Sequence, residues 1–247
     1  MQEIIFRDLG KMDYRSAWDL QEKLLQQNVK AKSLAGSLQT AVINDVPDDI
    51  SSLTHHHLLF VEHPPVYTLG KSGHAENILI SEEERLKKNI EFYPTNRGGD
   101  ITFHGPGQIV AYPILDLEKF YKDIGRYLRH LEDVVIDLMS TYGLKGERSA
   151  GETGVWLEPT VKGKERKICA MGVRCSRWIT MHGLALNVNT DLQYFDHIVP
   201  CGIHDKKVTS LAKELGFALD MDDVKDRLKR SFEKVFDIRI TEIQMVS

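Results

Sequence analysis

Apolar residues recur along the chain with two different periods, which predicts both strands and helices. A short apolar run at residues 4–6 predicts a strand. The stretch that follows carries apolar residues at helical spacing on one face, namely Ala17, Leu20, Leu24 and Leu25. The chain therefore begins with a predicted strand and an amphipathic helix.

The rest of the chain continues this mixture. Further strands are predicted at residues 57–62, 90–93, 109–115 and 238–241, with a β-rich region at 154–190. Ser81 and Glu84 form a capping-box pattern, which predicts a short helix to about residue 89. Longer helices are predicted at 124–142, ended by Gly143, and where Val224, Leu228, Phe232 and Val235 share one face, with a short capped helix at 210–215.

Residues 31–54 are polar and contain Gly36 and Pro47, so they predict a long loop with a short strand at 40–43. Strands outnumber crossover helices and hairpins dominate, which predicts an α+β fold with a mixed or antiparallel sheet. A length of 247 residues suits one large domain, so we expect a single domain over 1–247.

The charge and the hydropathy of the chain exclude several classes of protein. The net charge is −4, from 36 acidic and 32 basic residues spread along the chain. Proteins that bind nucleic acid usually carry a basic face, so this charge disfavours that class. No window approaches the roughly 18 apolar residues of a membrane span, and the N-terminus lacks the apolar core of a signal peptide. We expect a soluble, cytoplasmic protein with no nucleic-acid or membrane partner.

Three cysteines are present, without a CxxC pair, so neither a disulfide framework nor a zinc site is expected. Cys169 and Cys175 fall in a β-like run, where cysteine usually acts as a small buried apolar residue. Cys201 stands between a proline and a glycine, in a turn that can present its thiol to a cleft. Cys201 is therefore the candidate nucleophile, although a structural cysteine is the alternative.

A nucleophilic thiol needs a base or a cation beside it, because little thiolate exists at neutral pH. The candidates are Lys167, His104, His182 and His204. Lys167 opens an otherwise apolar strand, so its amine is expected to be partly desolvated. The alternative is a lysine at the strand edge that reaches out to water. Sequence position alone does not choose among the four.

The run RGGDITFHGPGQ at 97–108 contains four glycines and predicts a loop between strands. Its backbone could approach a ligand closely, or it could be a tight turn with His104 hydrogen-bonded inside it. It matches neither GxGxxG nor GxxxxGK[ST], so a nucleotide phosphate site is not indicated.

Two further groups of polar residues carry weaker signals. The histidines at 55–57, with His63 and His74, suggest a metal site, but consecutive residues of a strand point to opposite faces and cannot share one ion. We expect no metal. Five basic residues could meet an acidic partner or could be solvated: Arg126, Arg129, Lys162, Lys164 and Arg166.

Five motifs occur in a recognisable order: RGGDITFHGPGQ at 97–108, GETGVW at 151–156, KICAMGVR at 167–174, HGLALNVN at 182–189 and DLQYFDHIVPCGI at 191–203. Together they resemble the lipoyl(octanoyl) transferase family over about residues 58–215. Two departures are the 31–54 loop and an expanded turn at 158–166, neither of which touches the motifs.

This resemblance implies a fold similar to that of biotin and lipoate protein ligases, with a larger and a smaller sheet flanked by helices. It also implies octanoyl transfer from acyl carrier protein to a lysine of lipoyl-accepting domains. The expected acceptors are the lipoyl domains of 2-oxo-acid dehydrogenase E2 subunits and the glycine cleavage H protein. The donor is already a thioester, so neither ATP nor a metal cofactor is expected.

The resemblance further implies roles for individual residues. It places the acyl-thioester on Cys201 and makes Lys167 the residue that lowers the pKa of its thiol. The acyl-binding residues that it implies are Arg97, Gly98, Gly99, Asp100, Ile101, Thr102, Phe103, His104, Ala170, Met171, Gly172, Gly183, Leu184 and Ala185. An ATP-dependent lipoate or biotin ligase would not need Cys201, and a non-catalytic binder of lipoyl domains or acyl carriers would need neither Cys201 nor Lys167.

Overall fold

The computed structural model describes residues 1–40, 54–199 and 207–242, with side chains described to residue 35 in the first range. The strands are β1 Gln2–Lys11, β2 His56–Glu62, β3 Val66–Leu69, β4 Glu91–Pro94, β5 Ile101–His104, β6 Gln108–Ile114, β7 Val155–Leu157, β8 Arg166–Ser176, β9 Ile179–Asn187, β10 Lys207–Val208 and β11 Ile238–Glu242. The helices are α1 Tyr14–Thr40, α2 Glu82–Lys87, α3 Ile124–Ser140, α4 Leu211–Leu215 and α5 Met221–Phe236.

Within these ranges the strands form two sheets. The larger has the order β10-β8-β9-β6-β2-β1-β11, with β7 also paired to β8, and the smaller has the order β4-β3-β5. The central pairs of the larger sheet are antiparallel, whereas β1 pairs in parallel with both β2 and β11. The predicted α+β class with a mixed sheet is confirmed.

Helices cover both faces of the larger sheet. Ala17 and Leu25 of α1 pack on one face, against residues such as Val110 of β6. The helices α3 and α5 pack on the other face, where Leu131 and Phe232 are fully or almost fully buried. These helices show the predicted apolar periodicity, and burial of that stripe is what holds each one to the sheet. None of the helices in the described ranges has the length and apolarity needed to cross a membrane.

The predicted loop at 31–54 is wrong over residues 31–40, because α1 continues to Thr40. The predicted strand at 40–43 is wrong at Thr40, and the rest of both predictions lies outside the described residues. This part of α1 is rich in good helix formers, which outweigh the single glycine. Lys32 also anchors it, because its Nζ lies 2.9 Å from Asp116 Oδ1 and donates to the carbonyl of Arg177.

Part of the predicted loop at 97–108 is also a strand. Residues 101–104 form β5, which is buried throughout and pairs with β3. The β-branched and aromatic residues of 101–104 favour a strand, despite the glycines on both sides.

Several local predictions are confirmed: Ser81 and Glu84 form the complete capping box of α2, and Gly143 follows α3 with a left-handed φ of +73°.

Candidate active site

A cavity of about 540 Å³ lies where the glycine-rich segment at 97–104 meets β8, β9 and the first turns of α3. Of the fourteen predicted acyl-binding residues, thirteen line it: Arg97, Gly98, Gly99, Asp100, Ile101, Thr102, His104, Ala170, Met171, Gly172, Gly183, Leu184 and Ala185. Lys167 lines it as well. The structure therefore brings the segment at 97–104 together with residues of two later motifs, which lie on the neighbouring strands β8 and β9.

Phe103 does not line this cavity. Its ring stacks on Tyr194 with centroids 4.6 Å apart and makes an edge contact with Phe195. The neighbours Thr102 and His104 line the cavity, whereas Phe103 packs into a separate apolar cluster. Successive side chains of a strand point to opposite faces, so Phe103 points away from the face that Thr102 and His104 share.

The glycine-rich segment is joined to β8 by its backbone. The N–H of Gly98 donates to the carbonyl of Val173 over 3.0 Å. Gly172 permits this approach, because a Cβ at that position would lie 2.6 Å from the carbonyl oxygen of Gly98. A glycine is therefore required where the two backbones meet.

Arg97 fixes the start of the same segment. Its Nη2 donates to the carbonyl and to the hydroxyl of Thr68, over 2.6 and 2.9 Å, and its Nη1 donates to the carbonyl of Gly98. The residue is only 8% exposed. Arg97 thus ties β3 of the smaller sheet to the segment that forms one wall of the cavity.

His104 is held in one orientation by a chain of buried hydrogen bonds. Its Nδ1 lies 2.8 Å from Gln108 Oε1, and the Gln108 amide nitrogen donates to Asn187 Oδ1. Because Gln108 Oε1 can only accept, Nδ1 of His104 carries the proton. Burial holds the pKa of His104 well below its usual value, so the ring is neutral.

His182 has an unusual backbone conformation, with a φ of +58° in β9. Met181 packs on the side of the sheet that α1 covers. The ring of the next residue, His182, lies on the same side, with its centroid 6.1 Å from the centroid of the Trp18 ring. Two successive side chains on one face break the alternation of a strand, and the left-handed φ allows this. The ring lines the cavity, with Nε2 2.7 Å from Asn96 Oδ1.

Lys167 is buried and is not a solvent-exposed lysine of the strand edge. It is 8% exposed, and its Nζ lies 4.7 Å from the centre of the Trp156 ring. Its carbonyl accepts from the N–H of Thr209, and Val208 of β10 is its partner in the parallel pairing. The side chain of this lysine is therefore largely removed from solvent.

The predicted nucleophile Cys201 lies outside the described residues, as does His204. Cys169 is completely buried in the main core cluster, and burial raises the pKa of its thiol. Burial also raises the pKa of Cys175. Surroundings of this kind disfavour a thiolate, so neither cysteine is suited to act as a nucleophile.

The sequence did not single out several residues that line the cavity: Tyr14, Ser72, Val110, Tyr112, Ile124, Leu128, Gly151, Glu152, Thr153 and Val173. Half of them belong to α1, β6 and α3, whose positions depend on tertiary packing. The motif at 151–156 was a usable signal, because its first three residues line the cavity.

Four of the five basic residues considered as a partner-binding patch have partners within the chain, and one of them is Lys164, whose Nζ lies 3.9 Å from Glu158 Oε1. Arg166 forms ion pairs with Glu158 and Glu214. Arg129 pairs with Glu132, and the guanidinium of Arg126 lies 4.4 Å from the centre of the Tyr121 ring. Within the described ranges, no three His, Cys, Asp or Glu side chains lie together as they would around a metal ion.

Comparison with known proteins decides the family. The family model described as the lipoyl protein ligase A/B catalytic domain matches residues 13–233. A protein of Christiangramia forsetii named octanoyltransferase is 53% identical over 240 residues, which are 97% of this chain and 98% of that protein. An octanoyltransferase of Flavobacterium johnsoniae is 52% identical over 97% of this chain and 99% of its own length. The chain belongs to the octanoyltransferase family. This family consists of acyltransferases, so the predicted enzyme class is confirmed.

Solved structures agree in fold. A lipoate-protein ligase A bound with ATP has a TM-score of 0.66 at 15% identity, covering 99% of this chain and 90% of that one. A putative lipoate protein ligase from T. acidophilum has a TM-score of 0.67 at 15% identity, covering 100% and 90%. At such identities the likeness shows the fold alone, and it confirms the predicted similarity to lipoate protein ligases.

We expect stability to fall as the pH drops below about 6.5. Burial lowers the pKa of His56 and His63 from 6.5 to about 4, and that of His182 to about 3. Below pH 6.5 the unfolded chain binds protons that the folded chain excludes, so each histidine destabilises the fold as the pH falls towards its folded pKa. Each contribution is of the order of 2 kcal/mol. Urea unfolding between pH 7.5 and 4 would check this, and a constant free energy of unfolding would contradict it.

We expect Gly172→Ala to displace the glycine-rich segment from β8. The new Cβ would overlap the carbonyl oxygen of Gly98, which is backbone and cannot rotate away. The expected effects are a loss of about 1–3 kcal/mol in the free energy of unfolding and a higher KM for the acyl donor. Gly125→Ala, an exposed position in α3, is the matched control. Unchanged KM and stability in Gly172→Ala would show that the contact does not shape the cavity.

Proposed function

We propose that this octanoyltransferase-family enzyme moves an octanoyl group from octanoyl-acyl carrier protein to a specific lysine of lipoyl-accepting domains, through a thioester on Cys201. The acceptors we propose are lipoyl domains of 2-oxo-acid dehydrogenase E2 subunits and the glycine cleavage H protein, in the cytoplasm. The observation that carries the proposal is the buried Lys167 on the wall of the cavity.

The shape of the cavity supports an acyl chain as its occupant. Its volume of about 540 Å³ falls within the range of small-molecule sites. Ala170 of β8 pairs with Ala185 of β9, and Gly172 pairs with Gly183, so the sheet offers small side chains along the cavity. Small residues leave room for a narrow, flexible chain, and Leu184 and Met171 supply apolar contact.

Chain connectivity supports the pairing of Lys167 with Cys201. Val208 pairs directly with Lys167, and Cys201 precedes Val208 by only seven residues. A connection of seven residues spans at most about 25 Å, so it permits the proposed approach of the cysteine to the lysine. Two relatives described above are named octanoyltransferase, which supports octanoyl as the acyl group that is transferred.

In the first half-reaction Lys167 takes the proton of the Cys201 thiol, and the thiolate attacks the thioester carbonyl of the donor. The carbon–sulfur bond to the carrier breaks as the bond to Cys201 forms. The carrier leaves as a thiolate and receives the proton from Lys167. A thioester replaces a thioester, so no energy source such as ATP and no metal is required.

In the second half-reaction the amine of the acceptor lysine attacks the Cys201 thioester. An amide forms, the Cys201 thiolate is expelled, and the proton lost by the amine passes to Lys167 or to the thiolate. Backbone N–H groups near Met171 and Gly172, or in the turn around Cys201, are proposed donors to the oxyanion. Ping-pong kinetics follow, because the carrier leaves before the acceptor reacts.

One assay tests the function directly. A recombinant lipoyl domain is incubated with the enzyme and either octanoyl-acyl carrier protein or free octanoate, each with and without ATP, and its mass is measured. We expect one octanoyl group per lipoyl domain from the carrier without ATP. Transfer only from free octanoate with ATP would instead establish a ligase, and binding without transfer would establish a non-catalytic binder.

A further inference from the structure

Glu132 is a completely buried carboxylate in the middle of α3. Its Oε2 lies 2.8 Å from both Arg148 Nε and Arg129 Nη1. Its Oε1 accepts the N–H of Gly154 over 3.0 Å. A buried carboxylate is costly unless all its lone pairs are engaged, and here both oxygens have partners.

Gly154 lies against the side chain of Lys167. A Cβ at position 154 would lie 3.5 Å from Lys167 Cε and 2.4 Å from the carbonyl oxygen of Cys169. The φ of Gly154 is +116°, a conformation that other residues rarely adopt. The backbone of Gly154 is therefore packed on β8, close to the carbon of Lys167 that carries the amine.

The Trp156 ring contacts the same lysine from β7, with Nζ 4.7 Å from the ring centre. Trp156 is almost completely buried, and β7 pairs with β8 directly beside Lys167. The lysine is thus confined by the Gly154 backbone and by an aromatic ring that is itself fixed. The Gly154 contact depends on a side chain from another element, because the Gly154 N–H donates to Glu132 Oε1.

We propose that Glu132 is a positioning residue for Lys167 and acts through the N–H of Gly154. The inference rests on the proposed role of Lys167 in activating Cys201. Glu132 fixes the segment 151–154, three residues of which line the cavity, and so fixes the direction in which the amine of Lys167 points.

Two variants separate the effect of the length of the Glu132 side chain from the effect of its charge. Glu132→Asp keeps the charge that faces the two arginines but is one methylene too short for the N–H of Gly154. Glu132→Gln keeps an acceptor at the right length but loses the charge. Asp133→Asn is the matched control, because Asp133 also pairs with Arg148, on the exposed side of α3, without contacting Gly154.

The readout is the pH profile of iodoacetamide alkylation at Cys201, with peptide mapping to separate it from the other cysteines, together with kcat and KM. We expect Glu132→Asp to shift the profile towards that of Lys167→Met and to lower kcat by about 10- to 100-fold, with KM little changed. Glu132→Gln and Asp133→Asn should keep the wild-type profile, even if Glu132→Gln is less stable.

Each variant can overturn the inference by itself. A wild-type profile in folded Glu132→Asp, or a shifted profile in Glu132→Gln, would show that Glu132 does not act through Gly154. If Lys167→Met itself leaves the profile unchanged, the proposed function of Lys167 fails instead. The two failures are therefore distinguishable in one experiment.

Discussion

Lys167→Met is expected to lower kcat/KM for octanoyl transfer by about 1,000-fold, within the range found for a lost general base. Methionine keeps a long, unbranched side chain that fits between Gly154 and Trp156 but has no amine. The apparent pKa of the Cys201 thiol should rise by about one to three units, because the neighbouring charge or base is removed. The fold should persist, since the methylene groups of Lys167 contribute to the packing and the methionine side chain can take their place.

The measurements are steady-state transfer and the pH dependence of thiol alkylation. Lys207→Met is the matched control, because Lys207 is exposed and lies on β10, which pairs with β8 at Arg166 and Lys167. The control should keep wild-type rates. Near wild-type activity in Lys167→Met, with an unshifted thiol profile, would remove this lysine from the mechanism.

Local pattern predicted most of the fold because most elements carry their own signals. Ser81 with Glu84 predicted the start of α2, and Gly143 predicted the end of α3. The end of α1 carried no such signal. Lys32, about two turns before the last residue of α1, is held by a long-range contact with Asp116, which no local pattern contains.

Residues of the candidate site that belong to a sequence motif could be predicted. Residues that only tertiary packing brings to the site could not. The segment 97–104 was predicted as a continuous run of binding residues. Because side chains along β5 alternate between two faces, Phe103 instead packs in a separate apolar cluster. Tyr14 and Tyr112 line the cavity from α1 and β6 without any motif. Glu132 looks in sequence like one more charge on an amphipathic helix, and only the fold reveals that it is buried.

Cys201→Ala is expected to abolish both formation of the acyl-enzyme and octanoyl transfer. After mixing with octanoyl-acyl carrier protein, the wild-type enzyme should gain the mass of one octanoyl group, and removal of the acceptor should make this species accumulate. The mass of the variant should not change, because the alanine side chain has no nucleophilic group. Neither Cys169 nor Cys175 can replace Cys201, since their surroundings do not favour a thiolate.

Cys175→Ala is the matched control, since Cys175 is the more exposed of the two cysteines in the described ranges. It should acquire and transfer the octanoyl group at the wild-type rate. Acylation of Cys201→Ala would place the nucleophile elsewhere, and direct transfer by Cys201→Ala without an acyl-enzyme would indicate attack by the acceptor lysine on the carrier thioester. In that case Lys167 would serve the acceptor amine alone, and its burial beside the cavity would be explained by deprotonation of the acceptor and not by activation of a thiol.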